Sequence, residues 1–414
     1  MSKQTLVVVG GGAAGFFCAI HAAIESPSLK VIIVEKSNKL LSKVRISGGG
    51  RCNVTHDCNS VSEMVKKYPR GGNFLKKSFQ HFFTNDTVNW FEQRGVKIKA
   101  EADGRMFPIS DSSQSIIDCM MNEVIKYKIE IILNRDIKSI LNKNKGWLLY
   151  DQCGSELYAE FLCIAAGGHH KISQFDWLTN LKHELVAPVP SLFTFNVHQH
   201  PLKHLMGVSL SLAVVKIKGT NFIQEGPLLV THWGFSGPAV LKLSAYAAIE
   251  LNKMQYDFLV VINWLPAFNE TSLHEKLKML KQNLSQQKIK NKNIFNLPQR
   301  LWENLVTEAG IHVENRWDQI PLKALNLLGK ILCSSEYRIL GKTTFKEEFV
   351  TAGGISLQEI DADTMQSKLC PNLFFAGEIM NVDGITGGFN FQHAWTSGYI
   401  AGKSIGMKAN KLFN

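Results

Sequence analysis

Two short stretches carry residue types whose spacing permits chemistry. In LVVVGGGAAG, at 6–15, Gly10, Gly12 and Gly15 fall on a GxGxxG spacing, and Glu35 closes the apolar run VIIVE 20 residues past Gly15. Gly10 permits a tight turn, Gly12 lets backbone approach a pyrophosphate, and Gly15 lets a helix pack closely on a sheet. Ala13 and Ala14 open that helix, whose free N–H groups and positive dipole end then face the phosphates. Glu35 is placed to accept hydrogen bonds from ribose hydroxyls and repels a 2′-phosphate, so FAD or NAD fits better than NADP. A glycine-rich turn can also be a plain strand-to-helix connection; the strand before, the helix after and the acid in place favour nucleotide binding.

The second stretch is KVRISGGGRCNVT, at 43–55. Gly48, Gly49 and Gly50 followed by Arg51, Cys52 and Asn53 disfavour helix and strand, and predict a loop whose backbone approaches something flat or phosphorylated. Arg51 beside Cys52 puts a cation next to a thiol, which lowers a thiol pKa and would make Cys52 a proton donor or nucleophile. A tight loop with a buried Cys52 and a solvent-facing Arg51 reads equally well from the local sequence.

The elements that must position these stretches read as α/β. A buried strand at 6–9, a helix at 13–26 ended by Pro27 and a parallel strand at 31–35 come first. The segment 61–95 is helical with an aromatic inner face, 102–108 is a turn carrying Arg105, and an amphipathic helix runs to about 127. Strands around 129–133, 137–141, 146–150 and 156–158 read as a β-meander interrupting the dinucleotide-binding sheet. The buried strand at 161–168 ends in Ala166 and Gly167, where backbone can lie close to an adenosine-ribose-phosphate. From 187 to 268 the pattern is β-rich, entered at Pro188 and Pro190. There His232, Trp233 and Ser236 are cavity-lining candidates, although turn and packing roles are the commoner outcome for such residues.

Residues 270–340 are helical and Lys-rich, with Lys276, Lys278, Lys281, Lys288, Lys290, Lys292 and Arg300. The 288–292 run predicts an exposed basic connection and is the best candidate for RNA-backbone contact, against the commoner solvated face. Strands at 349–354 and 372–378 follow, and a glycine-rich turn at 384–388 opens a helix toward 402. That second helix N-terminus is suited to stabilising negative charge on the pyrimidine side of a reduced flavin ring. A nucleotide-binding start matched by a strand and helix at the other end implies a discontinuous domain.

At 414 residues and 45% hydrophobic content the chain has room for two or three domains, and its formal charge of +11 favours a polyanionic partner over an acidic one. The eight cysteines form no CxxC pair or metal-ligand cluster, so no metal site is expected and the thiols read as reduced. No run approaches the roughly 18 apolar residues of a membrane span, and no signal peptide precedes the first strand. A cytoplasmic location without membrane contact is the expectation.

Taken together, GGGAAG with Glu35, SGGGRCNVT at 47–55, DGRMFP at 103–108, THWGFSGPAVLKLS at 231–244, VTAGGISLQEID at 350–361 and AGEIMNVDGITGGFNFQHAWTSG at 376–398 resemble one family. It is the two-dinucleotide-binding-domain flavoproteins of the BaiN/RdsA type, NAD(P)/FAD-dependent oxidoreductases, and the motifs appear in its order across nearly the whole chain. The resemblance implies a Rossmann-like FAD-binding domain split into 1–187 and 350–414. Between its parts it implies an inserted β-barrel-like domain at 188–269 and 341–349 and a basic helical subdomain at 270–340. It implies FAD held by Gly10, Gly12, Ala13, Ala14, Gly15, Glu35 and Lys36, by Gly48 to Asn53 including Arg51 and Cys52, and by Ala166 and Gly167. From the C-terminal part it adds Gly377, Glu378, Asp383, Gly384, Gly387, Gly388, Phe389 and Asn390. The chain departs from the family after Gly168, where His169, His170 and Lys171 replace a glycine-rich turn, and at 41–43, which lacks a Gly-Arg step.

No second GxGxxG follows the first, so NAD(P)H, if it is the electron donor, visits the flavin transiently. The preferred reaction is reduction of an activated carbon–carbon double bond, uridine to dihydrouridine in ribosomal RNA, with Cys52 as proton donor and Arg51 stabilising oxyanion charge. The basic 276–300 region would be the RNA footprint. The competing classes are a small-molecule flavin oxidoreductase, of enoyl reductase or amine oxidase type, and a non-catalytic flavin-binding interaction protein.

Overall fold

The structure, a computed structural model, describes residues 3–143, 146–291, 293–343 and 350–411. The expectations for Lys292 and for 344–349 fall outside these. The chain divides into two compact units, Met1–Ser191 with Lys346–Asn414, and Leu192–Phe345.

The first unit is built on a five-stranded parallel sheet. Its order is Leu373–Phe375, Phe161–Ile164, Thr5–Val9, Lys30–Val34 and Glu130–Ile132. Strands covered on both faces read as unbroken apolar runs, and LVVV, VIIV, FLCI and LFF are such runs. The central strand Thr5–Val9 leads through Gly10 into the helix Ala13–Glu25. Strand order reverses beside it, which puts a ligand crevice at the carboxyl ends of these strands.

Glu130–Ile132 was expected in the meander, yet it pairs with Lys30–Val34 as the edge of the parallel sheet. Three apolar-edged residues cannot distinguish an edge strand from a hairpin partner. The meander proper is Ile137–Lys143, Gly146–Asp151 and Glu156–Ala159. Arg105 lies on the strand Arg105–Pro108, between Thr55–His56 and Ile98–Ala100, and not in a turn.

The long final helix, Phe389–Lys411, packs along Ala13–Glu25 through three glycines four residues apart. A Cβ at Gly398 would sit 2.5 Å from the Ala14 carbonyl oxygen, and one at Gly402 2.4 Å from that of Cys18. At Gly406 it would sit 2.5 Å from the Glu25 Cβ. Only glycine admits this approach. The aromatic face predicted at 61–95 lies on the helices Gly72–Ser78 and Thr84–Glu92 and the turn between them, and Phe82, Trp90 and Phe91 close around Phe17, whose ring lies 4.5 Å from Trp90 and 4.7 Å from Trp395.

Leu185–Ser191 pairs antiparallel with Val350–Ile355 inside the first unit, so Pro188 and Pro190 belong to that strand, not to the β-rich insert. The second unit is a closed antiparallel barrel. Its strands, in order, are Thr194–Val197, Gly234–Ser236, Ile223–Val230, Ser209–Ile217, Asp257–Asn263 and Ser335–Thr343. Helices Glu270–Asn283, Gln299–Glu308 and Leu322–Ser334 share its apolar core, with Leu277, Trp302 and Leu328 fully buried in it. The last barrel strand begins at Ser335, within the stretch expected to be helical. Among the described residues, no helix is long and apolar enough to cross a membrane.

Candidate functional site

The glycine turn is shaped by close approach. Gly10 has φ +118°, and a Cβ there would lie 2.2 Å from the Ala165 carbonyl oxygen; a Cβ at Gly15 would lie 2.0 Å from that of Gly10. Gly12, by contrast, has open space around its missing side chain. It is the N-cap of Ala13–Glu25 and supplies no side-chain hydrogen bond, so the first-turn N–H groups at Ala13 and Ala14 are left for an anion. Glu35 sits beside the turn: one carboxylate oxygen accepts from Gly11 N–H at 2.9 Å, the other from Ser37 N–H and its hydroxyl at 3.0 and 2.8 Å. The oxygen that faces Gly11 keeps a lone pair for a ribose hydroxyl. Lys36 is exposed next to it.

Across the crevice the 165–168 turn and the Gly377–Glu378 turn converge. Gly167 has φ +76° with open space beside it, and Ala166 precedes it. Gly377 approaches the first helix so closely that its Cβ would lie 2.7 Å from that of Ala14, and its carbonyl faces His393 Nε2 at 3.1 Å. Burial pushes the Glu378 carboxyl up, but the Lys43 ammonium and the N–H groups of Thr351 and Gly168 outweigh it and hold the group below its ordinary range. Sequence reading missed Gly168, Lys43, Thr351 and His169 as members of this cluster. A Cβ at Gly168 would meet Thr351 Oγ1 at 2.8 Å, and the AAGG run was the available signal. His169 Nε2 and Thr351 Oγ1 are buried with no hydrogen-bond partner among the described residues, and burial, with Lys36 nearby, lowers His169 to about 4. Two orphaned polar atoms, an open glycine at an uncapped helix start and a ready carboxylate fit a dinucleotide laid across the strand ends.

The 47–53 segment is not a plain loop. Ser42–Gly50 begins as helix and breaks at Ser47, Gly48 and Gly49. Gly48, Gly49 and Gly50 all have positive φ, and the last two face open space. The Asn53 amide, oriented to satisfy both its ends, accepts from Gly388 N–H and donates to the Thr55 carbonyl, each at 3.0 Å. A Cβ at Gly388 would lie 2.4 Å from the Thr55 oxygen, so this segment and the start of the final helix are locked together. Phe389 is buried against His56, ring centres 4.6 Å apart. Asn390 closes the turn before it, exchanging hydrogen bonds with Gly384 N–H and C=O at 2.8 and 2.9 Å. Gly387, at φ +131°, receives His56 Nδ1 on its carbonyl at 3.1 Å.

Two expected roles meet a different geometry. Arg51 does not engage Cys52: its guanidinium pairs with Glu101 at 2.6 Å and Asp111 at 3.6 Å and lies 3.9 Å over the Phe107 ring. Cys52 is fully buried, and burial pushes its thiol up to about 12, opposed by a hydrogen bond with Ser47. A distant pair of carboxylates draws the cation away, so the thiol loses the neighbour that was to activate it. Asp383 is also fully buried, with both oxygens held by Arg70 and one also accepting from the Ser191 hydroxyl at 2.9 Å, which makes it a bracket for the turn.

In the second unit the basic run resolves in an unexpected way. Ile289 is fully buried, and Lys288 and Lys290 on either side both pair with Glu314, whose carboxyl falls to about 2, drawn down by Lys290 first and then Lys288. Lys281 donates to the Ile320 carbonyl. Three lysines of the expected RNA footprint, Lys281, Lys288 and Lys290, are thus engaged within the protein.

A family profile described as HI0933-like protein Rossmann domain matches residues 4–404. The chain is 30% identical to the ribosomal RNA dihydrouridine synthase of Escherichia coli K12, covering 98% of each. It is 28% identical to the protein of the same name from Haemophilus influenzae, covering 96% of this chain and 98% of that one. To the 3-dehydro-bile acid delta(4,6)-reductase of Clostridium scindens it is 25% identical, with the same coverage. Among solved structures, the 3-ketosteroid-delta4-(5alpha)-dehydrogenase of Rhodococcus jostii RHA1 aligns with a TM-score of 0.52 at 12% identity over 98% of both chains. The E. coli quinol fumarate reductase FrdA aligns at 0.51 and 15%, over 100% of this chain and 71% of that one. These last likenesses are of fold.

Proposed function

The chain belongs to the HI0933-like Rossmann family, and from that premise we propose that it is an FAD-dependent oxidoreductase that reduces uridine in ribosomal RNA to dihydrouridine. The observation that carries the cofactor is the uncapped N-terminus of Ala13–Glu25 behind the open Gly12, with Glu35 beside it. The substrate rests on the 30% identity, over 98% of both lengths, to the E. coli enzyme named for that product. The same reading implies a cytoplasmic protein with NAD(P)H as transient electron donor.

When bound and reduced by NAD(P)H, FAD would supply a hydride to the carbon–carbon double bond of the uracil ring, with a proton from solvent completing the reduction. The chain's own residues hold and orient the cofactor. The Gly387–Gly388 turn presents the start of the final helix, whose free N–H groups and dipole stabilise negative charge. The pinned Asn53 keeps the glycine loop against that turn.

Ribosomal RNA from a strain lacking the gene is expected to lose a dihydrouridine that complementation restores, read by reverse-transcription mapping. An unchanged map supports the second reading, a small-molecule reductase, which the 25% identity to the bile acid enzyme favours.

Cys52 is structural in this reading, and the proton comes from solvent. Cys52→Ala should keep flavin content and turnover within a fewfold of native while costing about 1–2 kcal/mol of stability through the small cavity left. Denaturant unfolding and initial rates check this together. A collapse in rate at native stability would return the thiol to the chemistry.

A further inference from the structure

We infer that one end of the barrel in the second unit is a docking surface for unstacked RNA, with Trp233 as its stacking platform. The inference rests on the RNA reading above and goes beyond it by locating the contact. Four strand ends meet there, because Ser209 pairs with Leu229 and Asn196 with Gly234. Two connections cover that end, 198–208 and 231–233, and they are tied to each other and to the strands. Val197 N–H donates to the Trp233 carbonyl at 2.9 Å, Gly207 N–H to the Val230 carbonyl at 2.9 Å, and His200 Nε2 lies 3.1 Å from the Thr231 carbonyl oxygen.

On this braced frame two large apolar side chains face solvent, Trp233 at 60% and Met206 at 57% exposure. The His232 ring stands edge-on to the indole, with ring centres 4.8 Å apart. Around them are Lys203, His204 and Arg300, the last donating to the His204 carbonyl. The charged groups acting on His200 here are His204, His232 and Lys203, all basic. Among the described residues Lys203, His204, His232 and Arg300 have no carboxylate partner, whereas Lys288 and Lys290, in the run the sequence favoured, share Glu314.

An exposed indole with Lys203 and Arg300 close by and two imidazoles beside it matches a base face flanked by phosphates. Aromatic stacking accepts any base, and cations beside it track the backbone. An acidic peptide would use the cations but leave the indole idle. A double-stranded helix offers no free base face to it.

The test uses the full chain as purified and a labelled oligouridylate, with binding followed by fluorescence anisotropy at several salt concentrations. Trp233→Ala is expected to weaken binding about tenfold or more, with Trp233→Phe recovering most of it. Lys203→Glu should weaken binding and lower the salt slope by about one. Lys288→Ala should bind as native. Flavin absorbance and the unfolding midpoint report that each variant is folded. If the native protein binds the oligonucleotide and Trp233→Ala and Lys203→Glu bind equally well, the surface is overturned while the RNA reading stands. If the native protein binds no RNA and the dihydrouridine map is unchanged on deletion, the RNA reading itself fails and takes the surface with it. Displacement of the oligonucleotide by polyglutamate but not by free RNA would also overturn the assignment.

Discussion

Gly12→Asp is expected to abolish FAD binding while leaving the apoprotein at least as stable as the native one. Gly12 has extended backbone angles that aspartate adopts without strain, and its Cβ would enter open space. As an N-cap, aspartate would accept from the free first-turn N–H groups and complement the helix dipole, together worth a few tenths to about 1 kcal/mol. The same carboxylate would stand where the pyrophosphate must lie. Two like charges about 4 Å apart in a partly screened site repel by about 4 kcal/mol, about three orders of magnitude in affinity. Flavin titration of the apoprotein and its urea midpoint should therefore move in opposite directions. Native flavin content in the variant would show that the first helix is not the phosphate site.

Arg70→Met is expected to cost about 3–5 kcal/mol at neutral pH, because among the described residues it leaves the fully buried Asp383 carboxylate with Ser191 as its remaining side-chain partner. The pH dependence follows from the direction of the shift. Burial already raises Asp383 above the usual carboxylate range, with Arg70 the strongest opposing pull, so the variant's folded pKa lies higher still. A carboxyl whose folded pKa exceeds its unfolded value of about 3.9 penalises the folded state above the folded pKa, and protonation relieves that penalty as the pH falls through it. The deficit relative to native should narrow in urea unfolding as the pH falls from neutral toward the unfolded value of about 3.9. A deficit that does not change with pH would mean that Asp383 is not the group left uncompensated.

The nucleotide-binding end was the most legible part of the sequence because its constraints are local. LVVV must be a buried strand, Gly10 must turn, and the first helix must start uncapped, all within ten residues. The stripe of Gly398, Gly402 and Gly406 was equally visible, but its meaning lay in the first helix almost four hundred residues earlier. Arg51 shows the opposite case. Its neighbour in sequence is Cys52, yet its partner is Glu101, and only the pairing of Thr55–His56 with Arg105–Pro108 brings that carboxylate near. The basic run changes meaning for the same reason, since Glu314 arrives from another turn of the chain and pairs with both Lys288 and Lys290.

By itself, then, the sequence determined where the backbone turns and which runs are buried, because dihedral preference and hydrophobic pattern act over a few residues. Tertiary structure decided which charges remain free and which thiol is sealed. It also decided which aromatic ring meets solvent. Electrostatic compensation and burial depend on segments that meet only when the chain has folded. Cys52 loses its activating cation by that route, and Trp233, which local sequence favoured as a turn residue, stands exposed near Lys203, which has no carboxylate partner among the described residues.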